Sequence, residues 1–463
     1  MENLAKWNWL PILAAPALAT LILMAGCSTV ATQRTQAPLT TAIDATFASA
    51  AALARKDAAL SGQAKQDNST QIERLLAGLD NATLAREAAA LPVGDPLYNF
   101  AGRALLNRGL SLPRPFDRGG EWNAGNRPPA DSDGYRPPVK LGVLLPLSGA
   151  LSKAAAPVRD GLLAGYYGES RRRPEIMFYD TAGTPAGAIA AYGRAVAEGA
   201  DFVLGPLGRD EVSALFHEPL TVPVLALNRG NVAPPAGSTS FSLAPEDDGI
   251  AAAEFLLARN AQHVLVLSDD SLHRAVAAFR EHLQSRGGSL TEVLAIADKP
   301  GDMHAALQAA AQKTGGVDAV FLALKPAQAR ALAPQLAIAG LGGKPRVSTS
   351  QLAALEGGAE DRVLDGIAFP SEAWGINSVP GLPAPAAAAK LLPSARGGAA
   401  KLFAFGHDAW LLSAYLERLA TRADGNVQGA TGTLRLDGFG NIVRTPTWST
   451  FSGGTAVPLG SSQ

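Results

Sequence analysis

Polar and glycine residues that directly follow short apolar runs are the first places where this sequence could do chemistry. Ser148 and Gly149 end LGVLLPLSG, Gly205, Pro206 and Leu207 end DFVLGPL, Asn228 and Arg229 end VPVLALNR, and Asp269 follows HVLVLS. If the runs are parallel strands, their carboxyl ends face a crevice, where backbone amides and hydroxyls can receive a ligand carboxylate. The competing reading is a set of tight turns with no ligand, and the apolar side chain of Leu207 favours it. Asp269, with Asp270 and Ser271, precedes a helical stretch, so capping is the stronger reading of its carboxylate. No metal site is expected, because His217, His263, His273, His282, His304 and His407 are scattered, with no HExxH pattern and no cysteine partner. His407-Asp408 reads as a structural pair opening a helix. Arg171, Arg172 and Arg173 read as a solvated basic loop, with an anionic glycan or a partner as the functional alternative. No GxSxG elbow, SxxK motif, Walker loop or GxGxxG fingerprint occurs, so neither a nucleophile nor a cofactor is implied and the chain reads as a non-enzyme.

The one cysteine has its own explanation. Leu10 to Met24 is an almost wholly apolar run, too short and too proline-interrupted for a comfortable membrane span, and it leads into Met24-Ala25-Gly26-Cys27. That segment resembles a bacterial lipobox. Residues 1–26 then form a lipoprotein signal peptide, Cys27 is the lipidated residue and 27–40 is a polar tether. Ser28, rather than Asp, after the cysteine points to the outer membrane, with the chain facing the periplasm. Each buried acyl methylene contributes ~0.8 kcal/mol, so a multiply acylated terminus stays on a membrane. A single cysteine also excludes an intramolecular disulfide. Lys+Arg 40 against Asp+Glu 41 leaves a net charge of −1, which gives no electrostatic reason to expect nucleic acid as a partner.

The elements that must position these residues fall into three textures across 463 residues. Residues 41–110 carry helix formers at helical spacing, with Thr70-x-x-Glu73 as a capping-box pattern and Asp95-Pro96 as a cap followed by proline. Residues 111–138 hold six prolines and four glycines without an apolar face and read as a linker, roughly 30 Å across as a random coil. From residue 139 to 457, apolar runs alternate with amphipathic helical stretches, as parallel strands joined by crossover helices do. Strands are expected at 139–147, 175–180, 201–206, 222–227, 263–268, 290–296, 319–324 and 346–350. Helices are expected at Lys153 to Tyr167, Pro185 to Glu198 and Ser271 to Arg286. The run 430–451 alternates like exposed antiparallel strands around an Asp437-Gly438 turn. A new strand–helix series begins near Ser242, so the chain reads as α/β with two Rossmann-like lobes. The first lobe is expected at about 139–243 and 346–410, the second at about 244–345 and 411–457.

Several of these stretches carry a more specific resemblance. LGVLLPLSG with VRDGLLAGYY, FYDT, VAEGADFVLGPL, VPVLALN, FSLAPEDDGIAAA, LDGIAF with Trp374, FAFGHDAWLL and TGTLRLDGFGNIVR occur in order across roughly 310 residues. In that order they resemble the LppC/LpoA family of penicillin-binding-protein activators. The resemblance implies a type I periplasmic-binding-protein-like fold. It further implies a non-catalytic outer-membrane lipoprotein that contacts a class A penicillin-binding protein through the peptidoglycan layer and stimulates wall synthesis. The pattern departs at the N-terminal side, where about 70 helical residues stand in place of the family's larger tetratricopeptide-like domain. A second class of function is a lipid-anchored solute receptor that closes its lobes on an amino-acid-like ligand.

Overall fold

The computed structural model describes residues 43–118, 125, 127–355, 357–376 and 378–460. Cys27, the expected signal peptide and the expected tether lie outside the described residues. Four helices come first: α1 (Ala45–Asp57), α2 (Gly62–Ala77), α3 (Asn81–Ala90) and α4 (Tyr98–Asn107). Asp44 caps α1 by accepting from the amides of Thr46 and Phe47, and Asp80 caps α3 through the Thr83 amide at 2.8 Å. Their apolar stripes close on a core of Phe47, Ile72, Leu76, Leu84, Leu97, Phe100 and Leu105. Thr70 does not start a helix as its capping-box spacing suggests. It lies inside α2, where the backbone amides ahead of it are already bonded within the helix.

The proline-rich stretch is not a free coil over its described residues. Phe116 is buried, and the Tyr98 hydroxyl donates to the carbonyl of Arg114. Arg127 pairs with Asp201 at 2.8 Å, Arg136 grips both carboxylate oxygens of Glu417 at 2.9 and 2.8 Å, and Tyr135 donates to the Arg172 carbonyl at 2.7 Å. The basic run 171–173 is exposed, as expected of a solvated loop, and it also contributes to this attachment. Arg171 pairs with Glu169 and Asp133, each at 2.9 Å, Arg172 donates to the Pro137 carbonyl at 3.0 Å, and Arg173 lies over the Tyr166 ring. Guanidinium groups that grip carboxylates and lie over aromatic rings supply the fixation that composition alone does not reveal.

The first α/β lobe follows as β1 (Lys140–Leu145), α5 (Ser152–Gly168), β2 (Glu175–Asp180), α6 (Pro185–Ala197), β3 (Phe202–Leu204), α7 (Arg209–Leu215), β4 (Val224–Ala226) and β5 (Thr239–Ser240). Its sheet has the order β2-β1-β3-β4-β5 and every pairing is parallel. The second lobe runs through α8 (Pro245–Leu257), β6 (His263–Ser268), α9 (His273–Ser285), β7 (Ser289–Ala295), α10 (His304–Ala311), β8 (Ala319–Ala323), α11 (Pro326–Ile338), β9 (Arg346–Ser348) and β10 (Ile367–Ser371). After α12 (Pro385–Leu391), the long α13 (Ala399–Thr421) returns to the first lobe with β11 (Val427–Gln428), β12 (Thr433–Leu436) and β13 (Ile442–Thr445). Finally β14 (Thr447–Ser452) and β15 (Thr455–Pro458) complete the second sheet, whose order is β15-β14-β10-β9-β8-β6-β7.

Two boundaries differ from the sequence reading. Residues 346–371 belong to the second lobe, because β9 pairs with β8, the strand just before it, and β10 pairs with β9. Residues 399–445 belong to the first, because α13 fills its core. Phe405, Trp410, Leu412 and Leu416 join Leu141, Val143, Val158 and Leu162, each such burial contributing about 1.5–3 kcal/mol. Gly161 and Gly406 let α5 and α13 touch through their backbones, since a Cβ on either would overlap a carbonyl of the other helix. The 430–451 run is also less exposed than its alternation suggests. Leu434, Leu436 and Ile442 face the first core, while the 437–441 turn is folded around Asp437, which accepts from the amides of Phe439 at 2.9 Å and Asn441 at 2.7 Å. Among the described residues no helix is long and apolar enough to cross a membrane.

Candidate functional site

The parallel order of the first sheet brings Ser148, Gly149, Gly205, Pro206, Leu207, Asn228 and Arg229 to its carboxyl edge, where the Ser148, Asn228 and Arg229 side chains are all engaged by neighbouring protein groups. The Ser148 hydroxyl donates to Asp180 at 2.6 Å, and the amides of Ser148 and Leu147 add bonds at 3.2 and 2.9 Å. With the Ser148 hydroxyl foremost, these bonds hold the Asp180 carboxyl below its usual range. Gly149, at φ +78°, abuts the Ala182 carbonyl, and Gly205, at φ +98°, abuts that of Leu144 just before a cis bond to Pro206. Neither position has room for a Cβ. Asn228 donates to the Leu207 carbonyl at 3.0 Å and accepts from the Arg229 amide at 2.9 Å.

Asp269 sits at the carboxyl end of β6, in the other lobe. It is 4% exposed, caps a short 3-10 helix through the Ser271 amide at 3.0 Å, and accepts from the Gln328 amide group at 2.7 Å. Lys325 stands 3.3 Å away. Burial opposes ionisation, but the bonds from Ser271, Gln328 and Lys325 outweigh it and hold the carboxyl at about 2. Among the described residues no hydrogen bond or ion pair joins Asp269 to the first-lobe turns.

His407-Asp408 stands in the middle of α13 rather than at its start, because residues from Ala399 onward already continue the helix. Asp408 is fully buried and holds the 430–431 backbone, accepting from the Thr431 amide at 2.8 Å and its hydroxyl at 2.6 Å.

A second polar group lies where the chain crosses between lobes, and of its members sequence reasoning named only Arg229. Arg229 reaches out of its turn to Asp247 at 3.3 Å, in the first turn of α8. Arg444, on β13 of the first lobe, lies 3.7 Å from Asp248, whose other oxygen accepts from the Ser350 amide at 3.0 Å. Lys401 donates to the Ser350 hydroxyl from the first turn of α13. Asp247 Oδ2, Asp248 Oδ1, Arg229 Nε, Arg444 Nε, Ser242 Oγ and Thr349 Oγ1 are buried without a hydrogen bond. Burial raises the Asp247 carboxyl above its usual range, with Arg229 and Arg444 pulling the other way. The signal in the sequence, two aspartates after a proline in APEDDG, looks the same as ordinary acidic residues at a helix start.

The profile of the family described as "LppC putative lipoprotein" matches residues 135–454, across both lobes. Penicillin-binding protein activator LpoA of Photobacterium profundum is 28% identical over 354 residues, covering 69% of this chain and 56% of its own. The activator LpoA of Dickeya chrysanthemi is 27% identical over 327 residues, covering 61% and 47%. The chain thus spans about half the length of the curated relatives it matches. Full-length LpoA from Haemophilus influenzae superposes with a TM-score of 0.60 at 19% identity, over 89% of this chain and 78% of that one. A Chromobacterium violaceum protein described as a "putative branched-chain amino acid ABC transporter" gives 0.54 at 31% identity, over 68% and 100%. These likenesses place the two lobes among type I periplasmic-binding-protein-like folds, behind a helical module. On the match of residues 135–454, the chain belongs to the LppC lipoprotein family.

Proposed function

We propose that this protein is a non-catalytic activator of a class A penicillin-binding protein, anchored to the outer membrane through Cys27 and facing the periplasm. The observation that carries the reading is shared family: proteins named penicillin-binding protein activators align with both lobes. The crevice edge supports it, since Ser148, Asn228 and Asp269 use their side chains on Asp180, Leu207 and Gln328 rather than leaving them open. Activation works by population shift and requires tighter binding to the synthase's active conformation than to its resting one. Immobilised chain from Ser28 onward, titrated with each class A synthase of the source organism, is expected to bind one of them at micromolar affinity or tighter, about −8 kcal/mol. Absence of binding to every synthase contradicts the proposal.

A solute-receptor reading has one observation in its favour, the likeness to the Chromobacterium protein. It predicts a rise in thermal midpoint with an amino acid present at saturating concentration. The activator reading predicts no rise.

A further inference from the structure

Two lobes joined by crossing strands are free to rotate unless something outside the crossings fixes their angle. The crossings themselves latch only in part: Lys401 of the first lobe donates to Ser350 of the second, but its neighbours do not close. The pairs Arg229–Asp247 and Arg444–Asp248 are long, at 3.3 and 3.7 Å, and six buried polar atoms around them have no hydrogen bond. A buried network made only halfway neither stabilises strongly nor selects one arrangement.

The helical module bridges the same junction from outside. Toward the first lobe its grip is close. Asn99 on α4 donates to the Gly438 carbonyl at 3.0 Å, Phe100 meets Phe439 edge-on at 4.7 Å, and Arg103 lies 4.1 Å over the Phe439 ring. That turn is itself bound to the first sheet, because the Gly440 carbonyl accepts from the Ser240 amide at 2.9 Å and the Thr239 hydroxyl at 2.6 Å. A Cβ at Gly438 would overlap Asn99 and crowd Phe116. Toward the second lobe the contact is loose. Arg74 stands 3.7 Å from Glu281 with both side chains more than half exposed, and a cavity of about 270 Å³ separates Ala77 and Phe100 from Ile250 and Ala278. A second cavity, of about 470 Å³, continues the seam between Leu106 and Phe255.

We propose that the module is an interlobe stop: it rides on the 437–441 turn as an extension of the first lobe and bears against α8 and α9 of the second, setting how far the lobes can rotate. The close side moves with the module and the cavity-lined side is the slip plane. The inference stands whether or not a synthase is the partner.

The chain from Ser28 onward carries the whole described unit and no cysteine, so spin labels can be placed at Ala190→Cys on α6 and Ala331→Cys on α11, both exposed. Pulsed electron–electron resonance then reads the interlobe distance. Ala278→Trp puts a ring into the seam cavity without touching a lobe crossing and, by taking up slack on the slip plane, is expected to narrow the distance distribution. Asn99→Ala with Phe439→Ala loosens the close side, and is expected to broaden the distribution beyond the parent's width. A distribution that superimposes on the parent in either variant overturns the proposal. If the double variant does not accumulate as folded protein, Ala278→Trp decides alone.

Discussion

The crevice edge and the lobe junction meet at Arg229, yet they settle their polar groups in opposite ways. At the edge, Ser148 meets Asp180 at 2.6 Å and Asp269 meets Gln328 at 2.7 Å, and neither carboxylate is left without donors. At the junction, Asp248 and Arg444 are buried and Arg229 and Asp247 half-buried, paired at only 3.3 and 3.7 Å and with a buried atom unbonded on each of the four. A solute receptor needs the reverse: donors held open at the edge and lobes that latch once the ligand closes them. Among the described residues, six of the ten buried side-chain atoms without a hydrogen bond lie at this junction, so most of the unused bonding capacity is between the lobes. A protein so built is suited to holding or changing an angle for a macromolecular partner.

Four substitutions can break or sharpen that contrast. The largest effect is expected from Gly205→Ala, which puts a Cβ against the Leu144 carbonyl at φ +98°. It should cost roughly 3 kcal/mol or more in urea unfolding, marking the edge as rigid structure. Next comes Arg444→Met, which leaves buried aspartates without their counter-charge at about 2–3 kcal/mol. Adding Asp248→Asn should recover most of that loss, and a double variant as unstable as the single one would show the pair to be well made after all.

Third is Asp269→Asn, at about 1–2 kcal/mol at pH 7 after allowance for solvent screening. The Asp269 carboxyl is lowered in the folded state to about 2 from an ordinary 3.8, so its contribution is complete above pH ~4 and is lost as pH falls toward 2. Parent and variant unfolding curves should therefore converge over that interval. The smallest effect is expected from Asp247→Asn, and with the opposite sign. A carboxyl raised by burial destabilises the fold while ionised, so the amide should gain a few tenths to about 1 kcal/mol at pH 7. That gain should shrink as pH falls through the raised native value toward the ordinary carboxylate range. A loss on Asp247→Asn would place the junction in the same class as the edge.

Much of the fold was legible because strands buried on both faces announce themselves as continuous apolar runs. HVLVLS became β6 and AVFLAL became β8 within a residue of their expected limits. Sheet membership was not legible. RVS at 346–348 looks like any inner strand, and only its pairing with β8 assigns it to the second lobe. The attached linker was hidden for a related reason: Arg136 and Glu417 are 281 residues apart, and proline-rich composition says nothing of such a partner. Of the candidate site, the turns were readable from where apolar runs stop, but their internal satisfaction was not. Whether Ser148 faces a ligand or Asp180 depends on β1 and β2 being neighbours in register, with Leu145 opposite Asp180.

Peptidoglycan synthesis measures activation of a synthase most directly. Each class A penicillin-binding protein of the source organism would be assayed separately for glycan polymerisation and peptide cross-linking, with and without the purified chain from Ser28 onward. Several-fold stimulation of one synthase is predicted, unchanged when Ser148→Ala and Asp269→Asn alter the crevice edge. No stimulation of any synthase, alongside a thermal midpoint that rises with an amino acid, would contradict the account and return the crevice to the role of a ligand site.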